Sequence, residues 1–180
     1  MHFTLADLIT DITQNAVEAG ADLVELEVGE TDKEIRFLVK DNGKGMTEEE
    51  LKRAKDPFVT DGIKHPNRKV GLGLPFLIQT AEQSGGGWDI KSEKGKGTTV
   101  SAWFDVSNVD IPPTGNIAMM FRSILMLPGS AEIIIRRKKP VVEDEYEFSK
   151  SELEEAIGGF EDVSNLVLLK EYLESLEGGE

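Results

Sequence analysis

The segment from Ile35 to Met46 (Ile-Arg-Phe-Leu-Val-Lys-Asp-Asn-Gly-Lys-Gly-Met) constrains this chain more than any other. Ile35, Phe37 and Val39 fall on one face of an extended stretch and Arg36, Leu38 and Lys40 on the other, which is the two-residue period of a half-buried strand. That strand runs into an aspartate and then two glycines with one residue between them. Without a Cβ, Gly43 and Gly45 let the backbone turn sharply and approach another group closely. Asp41 stands at the strand exit, where an ionised carboxylate can accept hydrogen bonds from a planar amino group. A tight turn alone is the commonest use of such a sequence, so its neighbours decide what it means.

Composition removes several alternatives. The 180 residues suffice for one domain, or one domain with an appendage, and for a core that needs no staples. The absence of cysteine excludes disulfides, zinc–thiolate sites and cysteine nucleophiles, and His2 and His65 are too few and too far apart for a histidine-rich metal site. A formal charge of −14 argues against nonspecific binding to nucleic acid or an anionic membrane. No basic-then-apolar secretory start is present. The longest apolar run, Ile117 to Leu127, is too short to span a bilayer and contains Arg122. These features lead us to expect a cytoplasmic protein. The basic run Arg136-Arg137-Lys138-Lys139 is taken as a solvated strand end in preference to a binding patch.

Along the chain, Thr4 caps a first helix whose Leu5, Leu8, Ile12, Ala16 and Ala19 form an apolar stripe, ended by Gly20. Asp11, Asn15 and Glu18 share a flanking face, either a solvent edge or a site. Two strands follow, Leu23 to Gly29 and Glu34 to Lys40. Thr47 with Glu50 forms a capping box for a short helix to Lys55. Residues 56–70 have no period, and a loop of that length in a compact domain is usually functional or disordered. Gly71-Leu72-Gly73-Leu74 then enters a helix with Pro75 in its first turn. Trp88 to Glu93 and Thr98 to Val106 make a hairpin across residues 94–97. Pro112-Pro113 marks a boundary between a first domain, 1–107, and a C-terminal extension, 108–180. The extension holds an apolar helix, one or two strands and two acidic helices, the last with a Leu166, Leu169, Leu173, Leu176 stripe that docks on the domain.

Four features thus stand in order: the helix with Asp11 and Asn15, the bend Asp41 to Met46, the loop with Pro57-Phe58 leading into Gly71 to Leu74, and Gly95-Lys96-Gly97-Thr98. This order resembles the nucleotide-binding domain of the GHKL superfamily: gyrase-type topoisomerases, heat-shock chaperones, histidine kinases and mismatch-repair ATPases. The resemblance covers about residues 5 to 106. Residues 14–21 look like the mismatch-repair and topoisomerase versions. The Asp56-Pro57-Phe58 loop and Gly71 to Leu74 look like the histidine-kinase version, which we take as the nearer one.

The resemblance implies a two-layer α/β sandwich of the α+β class: a mixed, mostly antiparallel sheet with helices on one face, plus a C-terminal α/β extension. It also implies ATP and Mg²⁺ as cofactors. The Asn15 amide oxygen would be a hard ligand to magnesium, which keeps several waters beside the phosphates. Asp11 stands where several relatives carry a glutamate that orients or deprotonates the attacking water; a role behind the metal's water is the alternative. Asp41 would accept from the adenine amino group, with Gly43 and Gly45 making room, Met46 in soft contact and Thr98 adding a hydroxyl or water-mediated contact. Glu18 joins the nucleotide-facing set. Gly71, Leu72, Gly73 and Leu74 would cradle phosphates before a helix, while Phe58, Thr60 and Lys64 lie on the lid. The Walker pattern is missing, because no Gly-Lys pair precedes Ser or Thr.

Three functions follow from the resemblance: a regulatory kinase or switch acting in trans on a protein partner, a slow ATPase, and a non-catalytic nucleotide-sensing subunit. A homodimer is compatible with each.

Overall fold

The computed structural model describes residues 3–58 and 73–178. The N-terminal helix α1 (Leu5–Glu18) is followed by strands β1 (Leu23–Glu30) and β2 (Glu34–Asp41) and helices α2 (Glu48–Lys55) and α3 (Gly73–Gln83). Strands β3 (Gly87–Glu93) and β4 (Gly97–Asp105) come next, then α4 (Ile117–Leu125), β5 (Glu132–Lys139), β6 (Asp144–Ser149), α5 (Lys150–Ile157) and α6 (Val163–Leu176).

α1 forms where its sequence signals say it should. The Thr4 hydroxyl accepts from the Asp7 N–H and the Asp7 carboxylate accepts from the Thr4 N–H, a reciprocal cap. The next orphan donors at this helix end, the N–H groups of Leu5 and Ala6, are satisfied by the carbonyls of Pro113 and Thr114 at 2.9 Å. The segment after β4 therefore straps the start of the first helix.

The strands described form one sheet in the order β3-β4-β2-β1-β5-β6. Every neighbouring pair is antiparallel except β1 and β5, which run parallel from Leu23↔Glu132 to Gly29↔Lys138. The fold is thus the two-layer sandwich with a mixed, mostly antiparallel sheet. Val24, Leu26 and Val28 of β1, Ile35, Phe37 and Val39 of β2, and Ile133 and Ile135 of β5 alternate into the core, all buried. α1, α3, α4 and α6 cover that face: Leu5, Leu8, Leu77, Phe121, Ile124, Leu169 and Leu173 belong to the same apolar cluster. One core therefore runs beneath residues from both sides of Pro112-Pro113, and burying each such side chain stabilises by about 1.5–3 kcal/mol.

Two local readings change. The β3–β4 loop holds three residues, not four, because Glu93 pairs with Gly97. Ser92 consequently faces Thr98. The basic run is a strand end, as expected, and is partly solvated at Arg136 and Lys138, but Arg137 is not. Arg137 is 1% exposed on the core side of β5, where Nε and Nη2 donate to Glu177 and Nη2 also donates to Glu30. Arg136 bonds Glu147 and Glu25, Lys138 pairs with Glu27 at 3.3 Å, and Lys139 pairs with Asp144 and Glu177. Acidic partners distant in sequence neutralise all four cations, which local sequence does not reveal. Among the described residues no helix is long and apolar enough to cross a membrane.

Candidate functional site

β2 ends on the core side with Asp41, which is 9% exposed. Its Oδ1 accepts from the Gly43 N–H at 2.8 Å, and the Thr98 backbone also bonds the carboxylate. Burial raises the carboxyl above its ordinary range, and those two N–H donors offset part of the rise. A buried carboxylate left in this condition gains from any further donor brought to it. Next to it, the Asn42 Oδ1 accepts from the N–H groups of Asp22 and Leu23, pinning the bend to the start of β1.

The bend touches α1 and the β3–β4 hairpin together. Lys44 N–H donates to the Ala19 carbonyl at 3.0 Å, and a Cβ on Gly43 would lie 2.8 Å from that oxygen. Gly45 has φ +64°, and a Cβ there would sit 1.9 Å from the Glu93 carbonyl oxygen. Gly97 has φ +122°, and its Cβ would lie 2.0 Å from the Asp41 carbonyl oxygen. The glycines thus let strand end and hairpin close on each other. Ser92, which sequence reasoning missed, completes the joint: its hydroxyl accepts from the Met46 N–H at 2.8 Å and shares a 2.8 Å bond with the Thr98 hydroxyl. The corrected hairpin register would have pointed to it.

One turn before Ala19, Asn15 is exposed on α1, and its Nδ2 is 3.2 Å from where a Cβ on Gly73 would stand. The stretch Asn15–Ala19 therefore meets both the aspartate bend and the start of α3. Asp11 and Glu18 are exposed on the same helix, and the Glu18 carboxylate accepts from Gln14 Nε2 at 3.1 Å. Leu74 packs partly buried against the core, Met46 is half-buried, and Phe58 is 92% exposed, its N–H donating to Asp56. Thr60, Lys64, Gly71 and Leu72 lie outside the described residues. The expected capping box at Thr47 is half made. The hydroxyl accepts from the Glu50 N–H, but the Glu50 carboxylate turns to Lys94 at 3.0 Å and ties α2 to the hairpin.

Among the described residues no group of three or more His, Cys, Asp or Glu could hold a metal ion. The exposed Asn15 amide on α1 and the buried Asp41 carboxylate at the end of β2 carry oxygens that could serve as a hard metal ligand and a hydrogen-bond acceptor.

The model of the histidine kinase-, DNA gyrase B- and HSP90-like ATPase family matches residues 3–108. The chain belongs to this family. Among curated relatives, it is 26% identical over 113 residues to the sensor histidine kinase ZraS of Escherichia coli, covering 62% of this chain and 23% of that protein. It is 35% identical over 98 residues to sporulation kinase E of Bacillus subtilis, covering 52% and 13%, and 32% identical over 96 residues to sporulation kinase C of the same organism, covering 52% and 22%. The chain thus spans under a quarter of the length of each of these relatives.

Proposed function

We propose that this chain binds ATP with magnesium and works as a histidine-kinase-like regulatory kinase in trans, or as an ATP-dependent switch, on a protein partner. The observation that carries the reading is Asp41: a buried carboxylate at a strand exit, already held by Gly43 and Thr98, with burial raising its pKa. An exocyclic amine of adenine is a donor of the right kind for it, whereas the carbonyl of guanine at that position would repel it. Asn15 would take one position on magnesium, with phosphates and water filling the rest. The named relatives that match this stretch are kinases, which favours phosphotransfer. In this reading the phosphoacceptor histidine is the partner's.

Slow hydrolysis is the second reading, favoured by Asp11 standing exposed one turn before Asn15 on α1. The experiment follows labelled γ-phosphate from ATP with magnesium, with and without candidate partner proteins. Label on a partner histidine supports the kinase. Free phosphate lost in Asp11→Asn supports hydrolysis. Neither product, with ATP still changing partner affinity, supports the switch. Asn15→Ala should weaken magnesium-dependent ATP binding by about tenfold while leaving metal-free binding nearly unchanged. Equal loss with and without magnesium would take Asn15 off the metal.

A further inference from the structure

Asn42 lies inside the aspartate bend but has no part in the nucleotide contacts proposed above. It joins the bend to the start of β1 in both directions. Its Oδ1 accepts from the N–H groups of Asp22 at 2.8 Å and Leu23 at 3.0 Å, and its own N–H donates to the Leu23 carbonyl at 3.4 Å. Two donors converging on one atom decide which end of the amide is oxygen. The side chain is exposed, so these bonds rather than burial hold it there.

This clasp bears on Asp41 through the next peptide group. The Asp41 Oδ1 accepts at 2.8 Å from the Gly43 N–H, which belongs to the peptide that joins Asn42 to Gly43. Holding Asn42 against β1 therefore fixes the direction in which that N–H points. A carboxylate at position 42 would satisfy the Asp22 and Leu23 donors at least as well, because a charged acceptor makes the stronger bond. What it would add is a negative charge on the residue adjoining a buried carboxylate, and like charges disfavour each other's ionisation. Charged side chains on the elements that meet here are Glu18 on α1, Asp22 before β1, Lys44 in the bend, and Glu93, Lys94 and Lys96 in the hairpin. Glu93 pairs with Lys96 at 3.1 Å and Lys94 with Glu50 at 3.0 Å. Among the described residues none of these charges moves the Asp41 carboxyl: burial raises it and the N–H groups of Gly43 and Thr98 lower it. A charge at position 42 would be the first to act on it.

We propose that Asn42 is a positioning residue for Asp41: its amide oxygen fixes the bend that aims the Gly43 N–H at the carboxylate, and its neutrality spares that carboxylate a like charge. This role rests on Asp41 being the adenine acceptor and adds how that acceptor is kept ionised.

The test is a carbon-13 carboxyl NMR titration of Asp41 in the full chain without nucleotide, on wild type, Asn42→Asp and Asn42→Ala. Asp41 should titrate at higher pH in both variants, each by about half a pH unit or more. Asn42→Asp keeps the acceptor, so it should keep the wild-type melting curve, and raising salt to about 0.5 M should shrink its displacement. Asn42→Ala frees the Gly43 N–H, a loss that salt should leave unchanged. Where Asn42→Ala fails to fold, Asn42→Asp still decides. A second arm compares ATP with GTP, whose phosphates titrate alike. The wild-type preference for ATP should fall as pH drops through the Asp41 titration, and in both variants that fall should come at higher pH. Either folded variant titrating with wild type would overturn the proposal, because Asn42 would then only fasten the bend. So would an Asn42→Asp displacement that salt leaves untouched. Displaced titrations with a nucleotide preference that ignores pH in every form would uphold the positioning of Asp41 and sink its adenine role instead.

Discussion

At Gly45 the backbone stands at φ +64° with the Glu93 carbonyl oxygen 1.9 Å from any Cβ, so two independent penalties coincide. Gly95, in the β3–β4 loop, has φ +84° but nothing within 4 Å. Gly45→Ala should therefore cost about 3 kcal/mol or more in chemical denaturation, and Gly95→Ala only the left-handed penalty of about 1–2 kcal/mol. Equal losses would mean the bend and hairpin do not close as described. Ser92 supports the same joint through hydrogen bonds. Ser92→Ala removes the acceptor for Met46 N–H and the partner of the Thr98 hydroxyl, and should lower stability by about 1–2 kcal/mol. The same variant should also loosen nucleotide binding, because Thr98 bonds the Asp41 carboxylate through its backbone.

Among the elements, α6 is fastened to the sheet by charge as well as by apolar packing. Glu177, just past its end, receives Arg137, Tyr146 and Lys139. Burial pushes the Glu177 carboxyl up, but the bonds from Arg137 and Tyr146 and the charges of Arg137 and Lys139 outweigh it, so the net direction is down from the ordinary 4.5. Burial and the same carboxylate together hold the Tyr146 phenol protonated far above its ordinary range. Since the Glu177 carboxyl lies lower in the folded chain than in the unfolded one, its stabilisation is present above about pH 4.5 and disappears as pH falls through the lowered folded value. Glu177→Gln leaves Arg137 buried with Glu30 as its remaining acidic partner, and should cost about 3 kcal/mol at neutral pH. Melting curves taken from pH 7 to pH 3 should converge for wild type and variant at the acid end. A constant gap would remove the ionised Glu177 from the account.

Legibility from sequence follows the range of the interactions. β1 and β2 were bounded to within a residue, because alternation and the flanking turn residues are local signals. The cap on α1 was legible from Thr4 for the same reason. The hairpin register slipped by one, because Gly97 at φ +122° begins β4 where four loop residues were expected. The fate of the basic run was hidden, since Arg137 meets Glu30 and Glu177 across 107 and 40 residues of sequence. Ser92 stayed invisible until the register that sets it against Thr98 was known.

For the molecule as a whole, the sheet gathers the parts of the candidate site at one end. β2 delivers Asp41, the C-terminal end of α1 meets the bend through Ala19 and α3 through Asn15, and the β3–β4 hairpin closes against the bend. The parallel pairing of β5 with β1 continues the same sheet into the C-terminal third, so the C-terminal helices and the aspartate bend ride on one framework. A framework of this kind can carry two occupants, a nucleotide and a partner, whose affinities are linked only as far as binding changes the shared sheet.

Under the proposed function, Asp41 reads a purine's amino group where α1, the glycine bend and the hairpin meet. Calorimetric titration of ATP and GTP in magnesium, on wild type and Asp41→Asn, tests it most directly. The amide keeps an oxygen for Gly43, so the bend survives the substitution. Wild type should prefer ATP, and the variant should lose about 10- to 100-fold in ATP affinity and most of that preference. Equal affinity of wild type for both nucleotides, or an ATP preference untouched in the variant, would contradict it.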